Sequence, residues 1–362
     1  MANPDFWLVD GTILTPRGNV RGALGMSGSR LTEVRRTAPS GSRQRNLRGQ
    51  FVAPGFIDLH IWGDPERVAR QETRHGTTGF LTALGPQSPE RLVNSLVRLE
   101  GLRGSTHARC LGIHLEGPFL NPFRAGALAS RWLRPPTSRE LRQIVKWADA
   151  RVKMVTIAPE IPRGLQAIRW LSHHGLIASL GHSDADALMA QRAVAAGARA
   201  VTHVYNGMRP LHHRDPGLLG EVLTDERLTA MVILDGVHVD PVAFQLLVRC
   251  KGPDGIVLVT DSIRHQGSRP RQAGGAYYLK PGVLAGSRLT MIRAVHNAVV
   301  FGKISVAEAV LMASRNPARL LGIESRVGTL EAGKQADIVV FDQRFRVSLT
   351  IVNGTIVYQR AS

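Results

Sequence analysis

The chain has 362 residues, enough for one large α/β domain with a small second domain. Hydrophobic residues make up 43% of it, and no apolar run approaches the roughly 18 residues that a membrane helix needs. The N-terminus has no basic region followed by an apolar stretch, and two cysteines are too few for a disulfide framework. We therefore expect a cytoplasmic protein that does not bind membranes.

The net charge of +18 raises the question of nucleic-acid binding. Six of the 46 basic residues are lysine and the rest are arginine, scattered along the chain rather than gathered into one arm. No zinc finger, RNP-like aromatic motif or recognition helix accompanies them. We interpret the charge as an arginine-rich composition that attracts small anionic ligands, and expect no nucleic-acid partner.

The N-terminal segment, residues 6–52, contains short strand-like pieces between glycine-rich turns: Phe6–Val9, Thr12–Thr15 and Leu31–Val34. The middle of the chain alternates apolar runs with helical patterns, which is typical of βαβ units. Its predicted strands are Phe56–Ile61, Thr78–Leu84, Leu111–Leu115, Val152–Ala158, Ile177–Leu180, Ala200–Tyr205, Ala230–Leu234 and Ile256–Val259. Helices are predicted to start at Ser88 and Ser305 and to cover Ala187–Ala198.

Eight strands separated by helices predict a (β/α)8 barrel. The alternative is an open doubly wound sheet, but no Gly-x-Gly-x-x-Gly turn follows the first strand. Beyond the barrel lie three further predicted strands, Ile338–Phe341, Ser348–Val352 and Thr355–Tyr358. The dipeptide Asn353-Gly354 indicates a type I′ hairpin between the last two. We predict a small β-sandwich domain from residues 1–52 and 327–362, and a barrel from residues 53–326.

In a barrel enzyme the reactive groups come from the C-terminal ends of different strands. Reading those ends in order gives five candidates: His60, Glu116, His182, His203 and Asp261. Any one alone means little, because a histidine after a strand is more often structural and an aspartate there often caps a helix. Together, imidazoles and carboxylates form a ligand set suited to zinc and similar metals. A carboxylate outside the ligand set could transfer the proton of a metal-activated water.

At this point the sequence resembles the N-acetylglucosamine-6-phosphate deacetylases of the amidohydrolase superfamily, from about Pro54 to Asp342. The most specific motifs are the glutamate block and the block around the third histidine. The segments that carry the resemblance are Pro54–Asp58, His75–Thr78, His114–Pro122, Ala158–Glu160, Gly181–Ser183, Thr202–Asn206, Asp235–His238, Leu258–Asp261 and Leu284–Ser287. The tail Gly328–Asp337 is common across amidohydrolases and is less specific.

The resemblance implies a metal-dependent deacetylase with one divalent ion per subunit, zinc first, with iron and manganese as alternatives. Glu116, His182 and His203 match the family's metal ligands. Asp261 matches the carboxylate that activates water and later protonates the leaving amine, which makes it the expected catalytic residue.

The resemblance also implies how the substrate, an amino sugar phosphate, is bound. Four residues match substrate-binding positions: Asn206, Gly207, Arg214 and His238. Arg214 matches an arginine that contacts the phosphate from the neighbouring subunit. We therefore expect a homodimer with sites shared across its interface.

The chain departs from the family in three places, all of them around the substrate. Many relatives carry His-x-His after the first strand and can bind two metals, but here the residues are His60-Ile61-Trp62. This favours a mononuclear site and leaves His60 uncertain as a ligand. Where the family has Gly-Ala-His after the glutamate block, this chain has Leu128, and the loop after the first barrel strand is short.

The main functional hypothesis is hydrolysis of the N-acetyl amide of N-acetylglucosamine 6-phosphate or a close amino sugar phosphate. A second hypothesis keeps the reaction and changes the substrate to another acylated amino sugar, because Trp62 and Leu128 could enclose a less polar group. A third, from a different class, is a non-catalytic relative that binds a sugar phosphate. Retention of all four metal and acid residues argues against the third.

Overall fold

The structure, a computed structural model, describes residues 4–16, 18–100, 107–148, 151–264, 271–273 and 276–361. Its strands are β1 (Phe6–Thr15), β2 (Gly18–Ser27), β3 (Arg30–Arg35), β4 (Gln44–Asn46), β5 (Phe51–Pro54), β6 (Phe56–Gly63), β7 (Thr77–Leu84), β8 (Arg109–Glu116), β9 (Val152–Ile157), β10 (Ile177–Leu180), β11 (Ala200–Val201), β12 (Thr229–Ile233), β13 (Ile256–Val259), β14 (Ser262–Arg264), β15 (Arg271–Ala273), β16 (Ala276–Lys280), β17 (Val283–Ser287), β18 (Ile338–Phe341), β19 (Val347–Val352) and β20 (Thr355–Gln359).

The helices of the same described part are α1 (Pro65–Glu72), α2 (Pro89–Glu100), α3 (Ser138–Ala148), α4 (Gly164–His173), α5 (Ala187–Ala195), α6 (Gly217–Thr224), α7 (Pro241–Lys251), α8 (Met291–Gly302), α9 (Val306–Ala313) and α10 (Arg315–Leu320). None of these is long and apolar enough to cross a membrane. The predicted helix starts are confirmed: Ser88 accepts from the Arg91 amide, and Ser305 forms a capping box with Glu308.

Strands β6 to β13 lie side by side in chain order, and each pairs in parallel with the next. The sheet closes because β14, which continues the chain just beyond β13, pairs in parallel with β6. At the seam, the Asp261 amide donates to the carbonyl of His60 at 2.8 Å. The predicted (β/α)8 barrel is confirmed, with buried aliphatic side chains of all its strands forming the main core.

The sixth barrel strand is shorter than predicted. We expected a strand over Ala200–Tyr205, but regular pairing covers only β11. His203 has a φ of 32° and Tyr205 a φ of 78°, so the backbone leaves the extended region where the ladder would continue. Similarly, α5 ends before Ala198 because Gly197 adopts a φ of 109°. The turn at His203 lies at the C-terminal end of β11, where the site residues are found, whereas Gly197 precedes the N-terminal end of that strand.

A second sheet joins the two ends of the chain, in the order β20-β19-β18-β5-β1-β2-β3 with β4 beside β1. Its own apolar cluster includes Leu8, Leu24 and Ile338. The two predicted pieces Phe6–Val9 and Thr12–Thr15 are one strand, interrupted by a bulge rather than by a turn. The predicted hairpin is confirmed, since β19 and β20 are antiparallel and both Asn353 and Gly354 have positive φ.

The second sheet is attached to the barrel through buried polar contacts. Asp337, beside β18, forms an ion pair with Arg109 of β8 and accepts from the amide of Asn353 at 2.8 Å. Thr350 of β19 donates to the carbonyl of Thr73 at 2.7 Å. We propose a division close to the predicted boundaries, residues 52/53 and 326/327, with the whole of β5 in the second sheet because Ala53 and Pro54 pair with β18.

Candidate active site

The predicted metal and acid residues meet at the C-terminal mouth of the barrel. Glu116 is the last residue of β8, whereas His182, His203 and Asp261 each follow two residues after the end of β10, β11 and β13. All four are buried, with at most 9% of their surface exposed. The backbone turns sharply at the last three, with φ values of 48°, 32° and 47°. Left-handed conformations at non-glycine residues are strained and concentrate at functional sites.

Three of these side chains form one cluster. Oε1 of Glu116 is 3.0 Å from Nε2 of His182 and 2.8 Å from Nε2 of His203. One nitrogen or oxygen atom from each of the three lies within 4.8 Å of the others. Two imidazole nitrogens and a carboxylate converging on one point are a donor set that fits a divalent metal and leaves a position open for water.

The hydrogen bonding of His182 gives a further reason to expect a cation here. Its Nδ1 is 2.7 Å from the carbonyl of Arg124, so Nδ1 donates and the neutral ring presents a lone pair at Nε2. That lone pair faces the lone pairs of Glu116. Either a proton or a metal ion must lie between the two acceptors. A backbone carbonyl that orients the far nitrogen of a histidine is the usual support of a metal ligand.

The charges around His182 favour a cation at this point. Burial opposes charge on His182, but the hydrogen bond to Glu116 and the charge of that carboxylate outweigh it and raise the pKa of His182. Burial alone would raise the pKa of Glu116, yet the neighbouring imidazoles hold it well below its usual range. The pair is thus built to stabilise positive charge next to Glu116.

His60 lies beside this cluster rather than within it. Its Nε2 is 3.6 Å from Oε2 of Glu116 and 3.3 Å from Oδ1 of Asp261, and its Nδ1 is 2.9 Å from Nδ1 of His114. Burial opposes its protonation, but the two carboxylates outweigh burial and raise the pKa of His60 to about 10. Among the described residues its Nε2 has no hydrogen-bond partner and faces both carboxylates, and whether His60 is a ligand stays a prediction.

Two carboxylates without a role predicted from the sequence hold other residues of the site in place. Glu160, three residues beyond the end of β9, accepts from Asn121, from Ser183 at 2.7 Å and from the amide of Asp184 at 2.6 Å. It therefore joins the loop after β8 to the turn that carries His182. The signal was visible in the motif Ala158-Pro159-Glu160, but nothing in the sequence indicated its partners.

The second is Asp235, which holds a predicted substrate residue. Its Oδ2 is 2.7 Å from Nδ1 of His238, and its Oδ1 accepts from the amides of Val237 and His238. Burial would raise the pKa of Asp235, but the hydrogen bond to His238 and the charge of that ring lower it. With Nδ1 held by Asp235, the His238 ring has Nε2 left for a ligand.

The cluster opens into a cavity of about 420 Å³. Its lining includes three predicted substrate residues, Asn206, Gly207 and His238, together with Asp261 and all three members of the cluster. The departures Trp62 and Leu128 also line it, as do Gly282, in the turn before β17, and the first four residues of β17. The motif Leu284–Ser287 is visible in the sequence, but no local pattern indicates that this hairpin forms one wall of the cavity.

Gly207 has a steric reason to be glycine. Its φ is 62°, and a side chain there would start 2.9 Å from Nδ1 of His182. The absent side chain leaves room for the histidine and for the bond from that nitrogen to Arg124.

Two predicted site residues do not line this chain's cavity: Arg214 and the uncertain ligand His60. Arg214 is exposed, and its guanidinium lies 3.1 Å from Nε2 of His213. The loop around it is braced by Arg209, which pairs with both Asp184 and Asp215. Arg214 therefore lies outside the cavity, on an exposed loop that ion pairs support.

Comparison with known proteins agrees with this geometry. The amidohydrolase family model matches residues 51–357. The N-acetylglucosamine-6-phosphate deacetylase of Bacillus subtilis (strain 168) is 32% identical, over 93% of each chain. The solved structure of the enzyme of that name from Pasteurella multocida has a TM-score of 0.91 at 29% identity, covering 98% of this chain and all of that one.

A second solved structure is informative about ligands. It is a mutant N-acetyl-D-glucosamine-6-phosphate deacetylase from Mycobacterium smegmatis in complex with N-acetyl-D-glucosamine-6-phosphate. Its TM-score is 0.89 at 30% identity, over 99% of this chain and all of that one. Sequence, fold and the Glu-His-His cluster thus agree: the chain is a hydrolase of the amidohydrolase family and belongs to its N-acetylglucosamine-6-phosphate deacetylases.

Proposed function

We propose that this chain hydrolyses the N-acetyl amide of N-acetylglucosamine 6-phosphate to acetate and the free amino sugar phosphate. The observation that carries the proposal is the Glu116, His182 and His203 cluster, with Asp261 beside it, at the base of a cavity of about 420 Å³. A cavity of this size suits a small molecule. The sugar phosphate bound to the Mycobacterium smegmatis relative supports the choice of substrate.

We propose one zinc ion per subunit, held by Glu116, His182 and His203, with iron or manganese as alternatives. When bound, such an ion polarises an amide carbonyl and lowers the pKa of water. The protein's own contribution is orientation. The Arg124 carbonyl holds the ring of His182, and Glu160 supports the turn that carries it.

Asp261 is the proposed catalytic acid and base. Its carboxylate is next to the cluster and lines the cavity, so it can reach both an attacking water and the amide nitrogen. It takes one proton from the water as the new C–O bond forms. It returns that proton to the nitrogen as the C–N bond breaks, which releases the amine and acetic acid; the acid then gives its remaining proton to the amine or to solvent and becomes acetate.

Asn206, Gly207 and His238 are proposed to bind the sugar, and Arg214 to bind the phosphate of the neighbouring subunit's substrate. Arginine suits phosphate because it offers paired, charge-assisted donors. Two neighbouring exposed apolar side chains support a homodimer at this face: Phe123 is 93% exposed and Leu211 is 47% exposed. Their loops meet at Asp184, which pairs with both Arg124 and Arg209.

The test compares acetate release from three substrates: N-acetylglucosamine 6-phosphate, unphosphorylated N-acetylglucosamine and a 6-phosphate with a larger acyl group. We expect the first to be hydrolysed with the highest kcat/KM. The matched blank is the Asp261→Asn protein prepared in the same way. A preference for the larger acyl group would favour the second hypothesis, and no release from any substrate would favour a non-catalytic relative.

A further inference from the structure

The indole of Trp62, at the end of β6, contacts the proposed acid and base directly. Its Nε1 donates to Oδ1 of Asp261 at 2.7 Å, and Nε2 of His60 lies 3.3 Å from the same oxygen. Among the described residues, the indole of Trp62 and the ring of His60 thus both approach Oδ1. This leaves Oδ2 available for the proton transfer. An indole nitrogen is a donor only and cannot ligate a metal in this form.

The position of the Trp62 ring is determined by its surroundings. Trp62 pairs with Ile263 across the seam between β6 and β14, and its ring meets the His60 ring edge-on at 5.8 Å. Gly85 makes room on the other side, since a side chain there would start 2.9 Å from the indole and 3.5 Å from Leu128. A ring enclosed on these sides can hold its hydrogen bond in one direction.

We propose that Trp62 is a positioning residue for Asp261. Its N–H holds Oδ1, so that the carboxylate keeps one orientation and presents Oδ2 to the proton that it transfers. The proposal rests on the proposed role of Asp261 and adds a function for the residue found where many relatives have a second histidine. The orientation of a reacting group has a larger effect on kcat than on KM, because it matters most in the transition state.

The first test replaces Trp62 by Phe, which keeps most of the ring and removes the N–H. We expect kcat to fall by about tenfold or more, as for loss of a hydrogen bond to a charged group, with KM and metal content unchanged. Trp170→Phe, on the outer helix α4, is the matched control and should leave kcat unchanged. If Trp62→Phe keeps wild-type kcat, or loses activity only through KM, the proposal is wrong.

Two further arms keep the test decisive. In an Asp261→Asn background, Trp62→Phe should cause no additional loss, because Trp62 acts through that carboxylate. An equal loss in both backgrounds would overturn the positioning role. If Asp261→Asn alone keeps wild-type turnover, the proposed function fails instead, so the two failures are distinguishable.

The contact itself can be tested on metal-free protein, without any activity measurement. Asp261→Asn changes the group that accepts from the indole, so it should change the tryptophan fluorescence of the otherwise wild-type protein. The same substitution should leave the emission of the Trp62→Phe protein unchanged. Equal responses in the two proteins would show that Trp62 does not sense Asp261, and would overturn the proposal even if Trp62→Phe folds poorly.

Discussion

The metal side and the sugar side of the cavity are built differently. Glu116, His182 and His203 stand at strand ends, are almost fully buried and are held by backbone and carboxylate contacts. On the sugar side, Leu128 lies in a loop and is half-buried, and Arg214 lies on an exposed loop. Of the two residues predicted to depart from the family, Leu128 lies in the first of these loops, whereas Trp62 stands in β6 against Asp261. The ligand cluster rests on strand ends, and the residues proposed to recognise the substrate lie mostly in loops.

The largest expected effect is on the metal side. Removing the metal with a chelator, or replacing His203 by Ala, should reduce turnover to background, because one of three proposed ligands is lost. The loss should exceed the roughly 10–100-fold typical of changes around metal ligands. Elemental analysis should find one metal per wild-type chain and much less in the variant. The exposed His173→Ala is the control, and two tightly bound metals per wild-type chain would contradict the mononuclear site.

The second largest effect tests whether Asp261 acts as acid and base rather than as a metal ligand. Asp261→Asn keeps the shape of the side chain and removes its basicity, so turnover should fall by roughly 10²–10⁴-fold while metal content stays normal. Steady-state kinetics and elemental analysis on the same preparation check both parts. Loss of the metal together with the activity would mean that Asp261 serves as a ligand.

A smaller, selective effect is expected on the sugar side. Arg214→Ala should raise KM for the phosphorylated substrate roughly 10- to 100-fold, the effect of losing charge-assisted hydrogen bonds, and spare the unphosphorylated analogue. Arg21→Ala, on the surface of the second sheet, is the control. If KM rises equally for both substrates, Arg214 has a structural role and does not bind the phosphate.

The same variant tests whether sites are shared. Mixing Arg214→Ala chains with Asp261→Asn chains creates dimers in which one site combines an intact Asp261 with an intact Arg214 from the partner. Activity at low phosphorylated substrate should then exceed that of either variant alone. No gain on mixing, or a fully active monomer in sedimentation, would remove the shared site and leave the metal chemistry unaffected.

The smallest expected effect comes from Leu128→His, which restores the residue type that relatives carry. A new neutral hydrogen bond to the sugar should lower KM by about threefold to tenfold, with kcat and metal content unchanged. Leu128→Met is the size-matched control without a donor. A higher KM would indicate that this wall accommodates an apolar group of a different substrate, as the second hypothesis requires.

Much of the fold could be predicted because its signals are local. Helix caps and the Asn353-Gly354 turn depend on neighbouring residues, and these predictions are confirmed. The sixth strand was predicted too long because its apolar run continues through Val204, whereas the backbone turns at His203. No local pattern indicates that turn, since it depends on contacts with the next strand and with Glu116.

The sequence alone determined which residues stand at the ends of the barrel strands, because strand periodicity and the residue after each strand are local properties. The tertiary structure decided which of them touch. Glu116 and His203 are 87 positions apart, and Trp62 and Asp261 are 199 apart. Closure of the barrel brings its first and last strands together, so the hydrogen bond from Trp62 to Asp261 exists only once every strand between them has paired.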